Sequence, residues 1–92
     1  MDDFKVMYKI LKYLKASMAA EEFDENQISA ARLGVSELLI ERLLIMMQDD
    51  GYIRGLVTYQ GLTDDHLRLA KPVRPEITIK GLEYLETNSM MA

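Results

Sequence analysis

Residues 76–88 read EITIKGLEYLETN. A short β-branched run, Ile77-Thr78-Ile79, passes without a loop into Gly81 and then Leu82-Glu83-Tyr84-Leu85-Glu86. β-Branched residues favour strands, and a threonine hydroxyl can cap the start of a helix. The stretch therefore predicts a strand that turns straight into a helix over about 79–88, with Thr78 as its N-cap. A closing helix of this kind needs another helix to lie on, and the beginning of the chain offers one.

Residues 4–19 predict that first helix. At 100° per residue, Val6, Met7, Ile10, Leu11, Leu14 and Met18 share one arc, and Lys5, Lys9 and Lys12 cluster opposite. Leu82 and Leu85, with Tyr84 beside them, are expected to lie on Ile10 and Leu14. Glu21 to Glu25 is too acidic to continue the helix, and its Phe23 is expected to add one edge-strand residue. Asn26 or Asp24 caps a short second helix over about 27–33, with Ile28, Ala31 and Leu33 inward and Gly34 as its stop. Ser36-Glu37 starts a third helix, about 37–50, whose buried arc holds Leu39, Ile40, Leu43, Leu44, Met46 and Met47, and Gly51 ends it.

The tight LGVSE link at 33–37 gives a helix-turn-helix spacing. Tyr52–Tyr59 reads as a strand, 60–65 as a turn and Leu67–Ala70 as a returning strand. Alternation puts Ile53, Val57, Leu67 and Leu69 inward and Arg54, Thr58, His66 and Arg68 outward. Pro72 and Pro75 bracket an irregular piece, since neither can donate to a ladder. The order helix, helix, helix, hairpin, helix predicts an α+β fold. It is a small winged helix-turn-helix, one domain over 1–92, with the hairpin as its wing.

Composition narrows the function. A chain of 92 residues, 49% hydrophobic and 28% charged, has the make-up of a globular domain. It has no cysteine, hence no disulfide framework, thiolate nucleophile or Cys-type zinc site. The acidic Met1-Asp2-Asp3 start is unlike a leader, and the apolar stretch around Leu38–Met47 is broken by Glu41 and Arg42. A cytoplasmic protein with no membrane span is expected. The net charge of −4 argues against holding nucleic acid by bulk charge. Residues 1–50 hold 6 Lys/Arg and 10 Asp/Glu, whereas residues 51–80 hold 5 and 3. Any basic surface must be local.

Catalysis is not expected. Asp64-Asp65-His66 holds three residues that could ligate a metal, but neighbours in a turn point apart, so His66 reads as a surface residue. The serines lack a base at any recognisable spacing, and no glycine-rich phosphate loop exists. No cofactor, metal or small-molecule substrate is expected.

The segments QDDGYIRG (48–55), ITIKGLEYLE (77–86) and EEFDENQIS (21–29) resemble the YjcQ-like family of small bacterial and prophage proteins. The resemblance covers nearly the whole chain. It implies a phage or prophage origin, and it brings no catalytic residues.

Two functions compete. A winged helix normally lays its third helix in the major groove and touches the backbone with its wing. On that reading Arg42 and Gln48 could read bases, and Ser36 could touch a phosphate. Arg54, Thr58, His66, Arg68, Lys71 and Arg74 would form a basic ridge on the wing that binds DNA weakly. Lys5, Lys9 and Lys12 are a second basic stripe, whose ordinary reading is the wet face of a helix. Against DNA, Glu37 and Glu41 stand in the half of the third helix that would enter the groove. The alternative is protein–protein contact, with a homodimer or another partner, through Leu38 and Ile45 framed by Glu41, Arg42 and Asp49.

Overall fold

The computed structural model describes residues 3–63 and 66–91. Helix α1 spans Asp3–Ser17, α2 Ala30–Leu33, α3 Glu37–Asp49 and α4 Ile79–Thr87. Short 3-10 turns cover Glu25–Ile28 and Ser89–Met91. The strands are β1 Ile53–Arg54, β2 Thr58–Gln60, β3 Leu67–Leu69 and β4 Glu76–Ile77. They form two separate antiparallel pairs, β1 with β4 and β2 with β3. The fold is α+β and compatible with a small winged helix, with β2–β3 as the wing.

The core is one cluster. Val6, Met7, Ile10, Leu11 and Leu14 of α1 meet Leu43, Leu44 and Met47 of α3, Ile53 of β1, Ile77 of β4 and Leu85 of α4. α4 packs on α1, as the closing step requires. Leu82 and Tyr84 pack half-buried against the same cluster. Met18 and Met46, expected on buried arcs, are exposed. α1 ends at Ser17, one residue before Met18. Met46 lies on the edge of the α3 arc, beside the fully packed Met47. Ala30 is buried and Ala31 exposed, because α2 does not begin until Ala30, with Ser29 as its N-cap and the preceding turn capped by Asp24. Phe23 joins no strand; its ring meets Tyr13 edge-on at 5.6 Å and ties the acidic link to α1.

The opening stretch has a specific mechanism. Thr78 caps α4: its hydroxyl accepts from the Gly81 amide at 3.1 Å and donates to the Gly51 carbonyl. The Thr78 amide donates to the Tyr52 carbonyl at 3.1 Å. Gly81 lies so close to that same carbonyl that a Cβ would collide with it, and would stand 2.6 Å from Ile77 Cγ1. Threonine and glycine at this spacing therefore press the α4 start onto the end of α3.

The single strand expected over 52–59 is interrupted at Gly55, whose φ of 92° only glycine adopts without strain. The break ends β1 and restarts the alternation. β1 turns to pair with β4, matching Ile53 with Ile77 and Arg54 with Glu76. After three intervening residues β2 pairs with β3, matching Thr58 with Leu69 and Gln60 with Leu67. Ile53 and Leu69 are buried as expected, but Val57 and Leu67 are exposed, since the hairpin projects past the core.

Candidate functional site

One α3 side chain holds the base of the wing through its backbone. Gln48, near the end of α3, accepts from the Leu56 amide at 2.8 Å and donates to the Leu56 carbonyl at 3.2 Å. Both ends of its amide are used, so Gln48 is a clamp at the base of the wing and not a group held out for base edges. Ser36 is likewise engaged as the N-cap of α3, accepting from Leu39 at 3.1 Å.

The basic ridge is divided among the two sheets and the segment between them, and three of its four Lys/Arg stand beside a carboxylate. Arg54 lies on β1 and stands 3.8 Å from Glu76, its partner in the ladder. Arg68 Nε on β3 donates to Glu41 of α3, whose carboxylate is mostly buried. Lys71 stands 3.4 Å from Glu25 of the first 3-10 turn. Thr58 is half-buried in the hairpin ladder. Arg42, His66 and Arg74 are exposed. Asp64 and Asp65 lie outside the described residues. Among the described residues no group of three His, Cys, Asp or Glu could hold a metal ion.

Between α3, the 3-10 turn and the wing runs an open groove of about 1030 Å³. Its floor is the outer side of the core: Ile28, Ile40, Leu44, Leu69 and Val73. Its rim carries Glu25, Glu37, Glu41, Arg68 and Lys71, with the Glu41–Arg68 and Glu25–Lys71 pairs cancelling within it. Leu38 on α3 and Tyr59 on β2 form its lips, exposed to 53% and 51%.

Of the interface residues expected on α3, Leu38 and Glu41 line this groove, whereas Arg42 and Asp49 are exposed and do not line it. Ile45 is half-buried and packs against the core. Tyr59 was missed, because its strand reads as a simple alternating run; three apolar or aromatic residues among Leu56, Val57 and Tyr59 were the available signal. Val57 and Leu62 of the wing region are also exposed and do not line the groove.

No helix among the described residues is long and apolar enough to cross a membrane. No curated protein and no solved structure matches the chain. A family model described as YjcQ protein matches residues 8–92, nearly the whole chain, and the chain belongs to that family.

Proposed function

We propose that this domain is a non-catalytic, cytoplasmic protein-binding module that takes an apolar segment of a partner protein in the groove between α3 and the wing. The observation that carries this reading is the pairing of the rim. A phosphate reader keeps Lys and Arg available at its third helix and wing. Here Arg68 and Lys71 are held by Glu41 and Glu25, and Glu37 adds a further negative charge. What remains open is an aliphatic and an aromatic lip, Leu38 and Tyr59, over a floor of core residues, the chemistry enriched at the centre of protein interfaces.

The pairing also supports a partner segment with few charges, because a strongly charged one would have to compete with ion pairs already made. A second copy of the chain is a weaker fit, since a stable dimer needs about 800 Å² from each partner and the exposed apolar groups are divided among separate elements.

The test is selection of short peptides from a displayed random library on the immobilised domain. The expected result is enrichment of apolar or aromatic peptides whose binding is lost in Leu38→Glu. No enrichment, or peptides indifferent to Leu38→Glu, would refute the reading. Self-association of the free domain at micromolar concentration in sedimentation equilibrium, lost in Leu38→Glu, would replace the foreign segment with a second copy.

A further inference from the structure

The other cationic surface lies on α1 and α2. Lys9 and Lys12 of α1 and Arg32 of α2 line one shallow depression of about 440 Å³, together with Gln27 and Tyr13. No carboxylate among the described residues lines it. None of the three cations takes part in an ion pair among the described residues, in contrast to Arg54, Arg68 and Lys71. Lys5 continues the row four residues before Lys9 on the same exposed face. Like charges at i,i+3 and i,i+4 repel along a helix, and packing Arg32 beside them adds to that repulsion. A chain of net charge −4 has thus gathered three cations without an ion pair on one face, and the carboxylate of Asp24 accepts from Gln27 at the edge of the depression.

We propose that this α1–α2 face binds the phosphodiester backbone of duplex nucleic acid. A free phosphate or nucleotide is gripped by converging, enclosed donors, and no polar or charged side chain is buried among the described residues. The row is instead open and linear. Lys5 to Lys12 spans seven residues, about 10 Å along the helix, with Arg32 flanking it. That layout follows consecutive phosphates of a polymer and carries no means of reading bases. The inference does not depend on the groove, which lies between α3 and the wing.

The experiment is fluorescence anisotropy of a labelled random duplex titrated with the domain at low salt, then with added salt. Four phosphate contacts predict a slope of log affinity on log salt of about −3 to −4. Lys9→Gln/Lys12→Gln/Arg32→Gln should lower affinity at least tenfold and bring the slope to about −1, at about one unit per contact removed. Arg54→Gln/Lys71→Gln/Arg74→Gln removes the same charge elsewhere and should leave binding within about twofold. All six positions are exposed, and unchanged circular dichroism confirms that each variant is folded. No binding at low salt overturns the inference, as does equal loss in both variants. Inorganic pyrophosphate that displaces the duplex at matched phosphate concentration overturns the polymer assignment in favour of a small phosphate. Polyglutamate that displaces it equally well shows a site for acidic protein instead.

Discussion

Replacing Gln48 by alanine separates its two readings. If its amide serves the wing, Gln48→Ala removes both hydrogen bonds to Leu56 and leaves an amide and a carbonyl without partners. Each such bond contributes about 0.5–1.5 kcal/mol net, and a stranded buried group costs about 1–3 kcal/mol. Leu56 and Gln48 are half-buried, so water recovers part of that. The expected loss is about 1–2 kcal/mol, which lowers the melting temperature of a domain this size by about 5–15 °C. Thermal unfolding followed by circular dichroism measures it, and amide exchange should show the Leu56 N–H losing its protection.

Gln48→Glu sharpens the test. The carboxylate can still accept from the Leu56 amide, but it sets a second acceptor against the Leu56 carbonyl. Only the protonated form can donate there, so folding raises the pKa of the introduced group. Its contribution is then full below the unfolded-state pKa and is lost as pH rises through the folded-state value. Gln48→Glu should therefore approach the wild-type melting temperature in acid and fall behind it at neutral pH. An unchanged melting temperature and unchanged Leu56 exchange in Gln48→Ala would refute the clamp.

Other outcomes follow from the same packing. Gly81→Ala gains about 0.5–1 kcal/mol in helix propensity but drives a methyl into the Tyr52 carbonyl, at about 1–3 kcal/mol, so urea unfolding should show a net loss of stability. Thr78→Ala removes the α4 cap and the bond to Gly51 and should cost about 2 kcal/mol, with Thr78→Ser recovering most of it in the same assay. Leu38→Glu changes an exposed side chain and should move stability by no more than about 0.5 kcal/mol while abolishing capture of groove-binding peptides.

Local chemistry was legible in the sequence, and long-range pairing was not. Ser36, Thr78 and the threonine–glycine spacing act within a few residues of themselves, so their roles at the starts of α3 and α4 could be read directly. The helical arcs were readable for the same reason and failed at their margins: Met18, Ala31 and Met46 are exposed, and Ile45, placed outside the α3 arc, packs half-buried on the core. β1 finds its partner more than twenty residues away in β4, and nothing in the local alternation announces that. The positive φ at Gly55 resets the strand, which is why Val57 was assigned to the wrong side.

The site suffered most. The pairs Arg68–Glu41 and Lys71–Glu25 join residues 27 and 46 positions apart, so a ridge that counts as basic along the chain is partly compensated in space. Gln48 shows the same effect for a single residue. A glutamine at the exposed end of a third helix looks like a base reader until its partner eight residues on is known. Leu38 was found because an apolar residue outside its helix's buried arc is a local signal. The groove it borders needed three separate elements to be placed.

The most direct test of the α3–wing groove is an NMR titration of the isotopically labelled domain with a peptide enriched in the selection described above. Amide shifts should concentrate at Leu38, Glu41, Tyr59, Arg68 and Leu69, which line the groove, and leave Lys9, Lys12 and Arg32 unmoved. Shifts confined to the α1–α2 face, or scattered with none in the groove, would contradict the account.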